Sequence, residues 1–419
     1  MRKFLKVGVV LLALAFGSAM AQSCTVTIGS VMALTGSLGV LGQAIAEGAQ
    51  LAVSDLNAAG GVNGCTVKLS LSDDQTQANV GVDAAKKLVD VQHVPAIVGA
   101  LSSGITTAIL TSVTAPNNVI LISPASTSPT LTSLGKQGKT GGYFFRTAPS
   151  DALQSVAIAK VAMDHNLSKV AVLYLNNAYG QGLADAFNTA FTKLGGTVTQ
   201  SVVYNPDQPS YRSEVNKALR GNPQALFLVG YPGDGTTIAR EWVASGGPQT
   251  WLLPDGLEDQ HFVDDVGAQY FKTVYGTASG STTTPSLDTF KKEFQAKYGK
   301  VPTQAYVTNA YDATVIVGLA MEYAKTTTDT AAIRDAMRKV TDPNGQKVYA
   351  GVSELEAAHG LMKLGTTVQY VGAIGPIHFD QYGDIAGPYN LWTVKDGTVT
   401  NTGQMTVQQI QQVQQQIGQ

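Results

Sequence analysis

Two stretches of this chain place hydroxyl side chains where a helix opens at the end of an apolar strand. The run Ala96-Ile97-Val98-Gly99-Ala100-Leu101 leads into Ser102-Ser103-Gly104-Ile105-Thr106. The run Val119-Ile120-Leu121-Ile122 leads into Ser123-Pro124-Ala125-Ser126-Thr127-Ser128-Pro129. The first turn of a helix presents backbone N–H groups that have no partner within the helix. With Ser and Thr hydroxyls beside them, at the carboxyl edge of a parallel sheet, such groups suit a small anion, a carboxylate or a phosphate. Ser and Thr also close strand-to-helix turns as ordinary N-caps, with no ligand involved. One such turn favours capping; two in adjacent units leave the readings balanced, and the rest of the chain has to separate them.

The elements that would position these turns follow from periodicity. At 419 residues the chain exceeds a single hydrophobic core and fits two domains. A helix is expected over 42–59, with Ile45, Ala49, Ala52 and Leu56 at helical spacing and Gly60-Gly61 as its stop. Another is expected over 77–91, before the two strand–turn–helix units. A second set begins near residue 150, with helices over 151–164, 179–194, 211–220 and 236–244 between strands at 169–175, 197–204, 225–229 and 251–253. Helical patterns return at 287–298 and 304–324. The Gly-rich segment 345–372 reads as loops with short helices. The Gln-rich end, 404–419, carries Val407, Ile410, Val413 and Ile417 at near-helical spacing and reads as a marginal helix packed on the body. Strands alternating with helices across short connections imply parallel sheets covered on both faces, an α/β architecture of two doubly wound lobes.

Composition narrows the class. Met1-Arg2-Lys3-Phe4-Leu5-Lys6, an apolar run over 7–16 and Ala19-Met20-Ala21 together form a secretory signal peptide over 1–21, cleaved after Ala21. The apolar run is shorter than the roughly 18 residues a membrane span needs. Without that leader, 25 of the 28 basic residues remain against 30 acidic ones, a net charge of about −5. No basic stripe survives, which argues against nucleic acid or an anionic membrane as partner. The two cysteines, on an oxidising export route, read as a Cys24–Cys65 disulfide. Each immediately precedes one of the first two strands, which are neighbours in a doubly wound sheet.

Several motif-like runs lack the context their chemistry requires. Gly36-x-x-Gly39-x-x-Gly42 does not have the spacing of a dinucleotide-binding loop and reads as a tight turn. Gly138-Lys139-Thr140 has Ser133 where a P-loop needs its leading glycine, and Gly141-Gly142-Tyr143 follows instead of a helix. Ser133-Leu134-Gly135-Lys136 matches a catalytic S-x-x-K by chance. The histidines, His93, His165, His261, His359 and His378, are scattered without metal-ligand spacing. Neither a nucleophile–base pair nor a cofactor site emerges, so a non-enzymatic protein with no cofactor and no metal is expected.

Taken in order, Ala33-Leu34-Thr35-Gly36, the run 49–64, Asp73-Asp74, 97–103, Ser123-Pro124-Ala125, Tyr179-Gly180, and Gly375-Pro376-Ile377 with Asp380 and Gly383-Asp384 carry a family pattern. The chain resembles the Leu/Ile/Val-type periplasmic amino-acid-binding proteins that feed ABC transporters, from residue 25 to about 397. The resemblance implies two lobes joined by a three-strand hinge, lobe one over 24–147 with 276–378 and lobe two over 148–275 with 379–400, followed by a tail over 401–419. It implies that Ser103 and Thr127 hold a ligand carboxylate, that the Ala125 carbonyl and Asp255 take its ammonium, and that Tyr179 and Tyr231 close the cleft. Independently, a zwitterion entering a drying cleft needs a charge-assisted partner for each end. Pro254-Asp255-Gly256 is also an ordinary turn sequence, and the tyrosines also suit packing. Two departures stand out. Leu41 falls near a position where Leu/Ile/Val-specific members place an aromatic, and the family's disulfide lies elsewhere.

The expectation is therefore a periplasmic, monomeric receptor that captures a small aliphatic or branched-chain amino acid and delivers it to a membrane permease and its ATPase. The alternatives within the fold are an amide, urea or aromatic carboxylate as ligand, or a sensor docking on a receptor. An exported hydrolase is the rival from another class.

Overall fold

The computed structural model describes residues 24–418; the leader expected at 1–21 lies outside the described residues. From its start the chain runs β1 (Thr25–Met32), α1 (Gly39–Ala58), β2 (Thr66–Asp73), α2 (Ala78–Lys86), β3 (Ala96–Gly99), α3 (Ser103–Ile109), β4 (Ile120–Ser123), α4 (Pro129–Lys136) and β5 (Phe144–Arg146). Then come α5 (Asp151–Asp164), β6 (Lys169–Leu175), α6 (Ala178–Lys193), β7 (Thr197–Tyr204), α7 (Arg212–Ala218), β8 (Ala225–Val229), α8 (Pro232–Ala244), β9 (Thr250–Leu253), α9 (Gln260–Val266) and β10 (Thr273–Ser279). The final part holds α10 (Pro285–Tyr298), α11 (Val307–Ala324), α12 (Thr330–Met337), β11 (Gln346–Tyr349), α13 (Val352–Lys363), β12 (Val368–Gly372), β13 (Gly375–Pro376), β14 (Tyr389–Lys395), β15 (Thr398–Met405) and α14 (Val407–Gln416).

These elements build two α/β lobes. In lobe one, five strands in the order β2-β1-β3-β4-β5 pair in parallel throughout. Every residue of β3 and β4 is buried, because helices cover both faces of the sheet and the strands are apolar on both sides. In lobe two the order is β15-β14-β10-β9-β8-β6-β7. The pairs from β10 to β7 are parallel, while β14 and β15 join β10 as an antiparallel hairpin. Gly276 lets Trp392 pack across that junction, since a Cβ there would lie 2.1 Å from the indole ring.

The chain passes between the lobes three times, after β5, after β10 and after β13. On the second of these crossings it returns to lobe one and adds α11, a helix buried along most of its length between α1, α12 and α13. Strand β10 stays in the lobe-two sheet to Ser279, past residue 276, and β15 takes residues 401–405 into that sheet. Only from Val407 does the tail become a helix, with Ile410 and Val413 buried and α5 as its neighbour.

The segment 345–372 corrects the expectation of irregular loops. It contributes β11, the twelve-residue α13 and β12, and with β13 forms a separate three-stranded sheet. The disulfide is present: Thr25 pairs with Thr66, so Cys24 and Cys65 sit side by side with Cα atoms 4.7 Å apart.

Candidate functional site

The two hydroxyl-rich turns lie next to each other because β3 and β4 are adjacent strands. Most of their hydroxyls lock the turns together. Ser123 Oγ donates to the Ala100 carbonyl at 2.6 Å and accepts from the Ser126 amide at 2.9 Å. Ser126 Oγ lies 2.7 Å from Thr106 Oγ1 and 3.1 Å from the Leu101 carbonyl. Ser128 Oγ caps α4 by accepting from the Thr130 amide. For these residues the structural role accounts for the hydroxyl. Ser103 and Thr127 differ. Ser103 Oγ accepts only the Ser128 amide, at 3.2 Å, so its own proton is uncommitted. Thr127 is 1% exposed, and its hydroxyl makes no hydrogen bond of ordinary geometry, the buried Asp151 carboxyl being the acceptor near it. A buried hydroxyl left unpaired costs roughly 1–3 kcal/mol, so it marks a place where a ligand atom fits. Ala125 occupies the same turn, two residues before Thr127.

Across the cleft, lobe two presents Asp255 just beyond β9, with Tyr179 in the first turn of α6 and Tyr231 as the N-cap of α8. The two tyrosine rings stack at 5.4 Å with an interplanar angle of 7°. Tyr179 Oη donates to Asp255 Oδ1 at 3.1 Å. Tyr231 Oη reaches into lobe one and bonds Ser102 Oγ at 3.1 Å. Burial pushes the Asp255 carboxyl up, and hydrogen bonds from Tyr306, Gln154 and Tyr179 partly offset it. The same burial, with the Asp255 charge, pushes the Tyr179 hydroxyl well above its ordinary range, so it acts as a neutral donor.

The structure thus brings Ser103, Ala125, Thr127, Tyr179, Tyr231 and Asp255 to one cleft, with lobe-one hydroxyls on one wall and a lobe-two carboxyl on the other. Leu41 lies nearer the rim, lining a surface cavity of about 260 Å3 with Pro232 and Gly233.

Four further residues belong to this region and were not read from the sequence. Tyr306, preceding α11 in lobe one, donates to Asp255 Oδ2 at 2.7 Å and so bridges the lobes. Asp151 and Gln154, on the first turn of α5, are both fully buried. Arg146, also fully buried, supports the second hydroxyl turn from behind. Its guanidinium donates to the carbonyls of Ser126 and Ser128 and to Thr132 Oγ1, and pairs with Asp384 Oδ1 at 2.7 Å. The available signal was Arg146-Thr147-Ala148-Pro149-Ser150-Asp151, which reads as a strand end and a capped helix start. Ser150 does cap α5.

Among the described residues no group of His, Cys, Asp and Glu could hold a metal ion, and no helix is long and apolar enough to cross a membrane. A cleft between two α/β lobes, with hydrogen bonds already crossing it, defines a two-lobed solute receptor. The chain belongs to the periplasmic binding protein family, whose sequence model matches residues 25–373. It is 27% identical over 385 residues to the Leu/Ile/Val-binding protein homolog 3 of Brucella melitensis, covering 91% of this chain and 95% of that one. It is 29% identical over 359 residues to BasB of Halobacterium salinarum, the substrate-binding protein of a chemotactic signal transduction system, covering 84% and 83%. Among solved structures, the leucine binding protein LivK of Thermotoga maritima superposes with a TM-score of 0.76 at 25% identity, over 91% of this chain and 99% of that one.

Proposed function

We propose that this protein captures a small zwitterionic amino acid, aliphatic and of the branched-chain type, between its lobes and delivers it to an ABC importer. Ser103 and Thr127 take the carboxylate, with the backbone amides of their turns. The Ala125 carbonyl and Asp255 take the ammonium, while Tyr179 and Tyr231 shut the cleft over it. The observation that carries this reading is the Thr127 hydroxyl in lobe one, which makes no hydrogen bond of ordinary geometry, together with the buried Asp255 carboxyl in lobe two. Each wall supplies what one end of a zwitterion lacks once water is expelled. The relatives named for Leu, Ile and Val support the ligand class. In this reading the protein works outside the cytoplasm as a monomer, without cofactor or catalysis, and partners a permease with its ATPase.

Thermal-shift screening against the twenty amino acids, simple amides, urea and aromatic carboxylates tests the proposal. An amino acid at 100 times its Kd should stabilise by about 2.7 kcal/mol. Stabilisation by an amide or an aromatic carboxylate alone would overturn it. The likeness to BasB favours a second reading, a sensor that hands its occupied state to a receptor. Uptake of the labelled amino acid by vesicles holding a cognate permease and ATPase, dependent on this protein, decides against it.

A further inference from the structure

The three crossings between the lobes enclose a cavity of about 160 Å3, and none of the cleft residues named above lines it. Its walls include Pro149 from the first crossing, Gly280 and Thr282 from the second, Pro376 and Ile385 from the third, and Val407, the first residue of α14. Around the cavity the crossings touch closely. A Cβ on Gly387 would lie 2.7 Å from the Pro149 ring, and the Gly280 amide donates to the Pro388 carbonyl at 2.9 Å. The Tyr389 hydroxyl, just past the third crossing, donates to the Ser150 carbonyl of the first at 2.9 Å. The tail reaches this place from lobe two, because β15 pairs in the lobe-two sheet and α14 packs on α5. Gln404 Nε2 donates to the Ser281 carbonyl at 3.1 Å. The next residue, Thr282, gives its amide to the Ile374 carbonyl at 3.0 Å, beside the lobe-one strand β12. Gln404 thus ties lobe two to the point where the second crossing enters lobe one.

We propose that this hinge cavity controls closure from outside the cleft: its volume belongs to the closed arrangement, and the tail, through Val407 and Gln404, holds the crossings in it. The proposal rests on the cleft being the ligand site. Three hydrogen bonds cross that cleft, from Tyr306 to Asp255 at 2.7 Å, between Tyr231 and Ser102 at 3.1 Å, and from Ser128 Oγ to the Ala178 carbonyl at 2.6 Å, so the lobes are closed. Opening turns one packed lobe against the other, and the backbone of the three crossings absorbs the rotation. Walls drawn from all three crossings then shift relative to one another, and the cavity loses its present shape. A side chain that fits this shape gains contacts that the open form lacks, and an equilibrium moves by just that difference.

Position 407 can change without loss of the helix that carries it. Val407 is half-buried, and α14 is held by the capping box of Thr406 and Gln409 and by the buried Ile410 and Val413. An apolar cavity of about 150 Å3 takes a benzene molecule, so a phenyl ring suits this space. Val407→Phe fills the cavity. Val407→Ala enlarges it and supplies a better helix former. Gln404→Ala cuts the tie to Ser281 and leaves the walls in place.

The test is calorimetric titration of the native mature protein, V407F, V407A and Q404A with L-leucine, beside small-angle scattering of each protein without ligand. V407F should bind about fourfold more tightly, the effect of one further buried methylene group, and should be more compact without ligand. V407A and Q404A should bind more weakly by a similar factor and be more extended. Opposite shifts for the larger and the smaller side chain mark an effect of volume, because plain damage to the hinge weakens binding in both. A melting transition shows each variant folded, and Val407→Leu, one methylene larger than the native residue, takes the place of V407F if the ring prevents folding. Equal affinities in all four proteins, or weaker binding by V407F and V407A alike, overturn the inference. Failure of L-leucine to bind the native protein counts instead against the branched-chain reading. The scattering then decides alone, and equal dimensions for V407F and V407A overturn the inference.

Discussion

Replacing Asp255 separates recognition of an ammonium from simple filling of the cleft. Asp255 is 5% exposed, and its two oxygens take the hydroxyls of Tyr179 and Tyr306, at 3.1 and 2.7 Å. In Asp255→Ala a bound ammonium loses its lobe-two carboxylate inside a desolvated cleft, which costs about 2–5 kcal/mol, or roughly 30- to 5,000-fold in Kd. The same change takes the acceptor from two buried tyrosine hydroxyls in the closed form, Tyr179 keeping only the Gly256 amide that donates to it, whereas opening lets water reach them. Closure is therefore penalised even without ligand. Tyr306→Phe isolates that second effect, because it removes one cross-cleft hydrogen bond and leaves the carboxyl in place. Its expected cost is about 1 kcal/mol, near fivefold. Calorimetry with the amino acid that most raises the melting temperature gives both affinities, and small-angle scattering follows closure. The expected order is a large loss for D255A, a small one for Y306F, and an intermediate one for D255N, which keeps the shape without the charge. A Kd for D255A within threefold of native would refute the assignment. Equal losses in D255A and Y306F would show that Asp255 acts only by holding the lobes together.

Further outcomes follow from other parts of the molecule. Arg146→Met removes one partner of a buried ion pair and four of its hydrogen bonds, so urea unfolding should show a loss of about 3–5 kcal/mol, with weaker amino-acid binding as the 126–128 turn loosens; unchanged stability would contradict the role given to it. Reducing Cys24–Cys65, which are 41 residues apart, should cost at most about 4 kcal/mol. Binding should be unaffected, because the bridge lies at the amino ends of β1 and β2, opposite the carboxyl edge that carries the proposed site. Asp74 and Asp312 are buried acids pushed up to about 7 from an ordinary 3.8. A folded state that holds a proton more tightly than the unfolded chain loses stability as pH rises between those values, by roughly 1.4 kcal/mol per unit and group, and no further above about 7. Asp74→Asn should therefore lessen the fall in unfolding free energy between pH 5 and 7; an unchanged slope would refute the burial argument.

How much of this was legible in the sequence depends on whether a residue's role is local. The strands were legible because β3, β4 and β8 are unbroken apolar runs, which only a sheet covered on both faces requires. Ser103 and Thr127 were legible as hydroxyls at a strand–helix junction, but so were Ser123, Ser126 and Ser128, and no linear pattern says which hydroxyls the turns use up among themselves. Asp255 stood out only through the family resemblance, since Pro-Asp-Gly is by itself a turn. Asp151 was hidden by a correct local reading: after Ser150 an acidic residue is a good first helical position, and its burial against lobe-one groups comes from the crossing of the chain. The segment 345–372 failed for a related reason. Its glycines read as looseness, yet Gly372 is where Asp312 must approach the backbone, since a Cβ there would lie 2.4 Å from the carboxyl carbon. That carboxyl accepts the amides of Ala373 and Ile374 at 2.8 and 2.9 Å, fixing the turn that leads toward the third crossing between the lobes. Glycine there makes room for a buried acid, and a pattern of residue types cannot distinguish room for a side chain from freedom of the backbone.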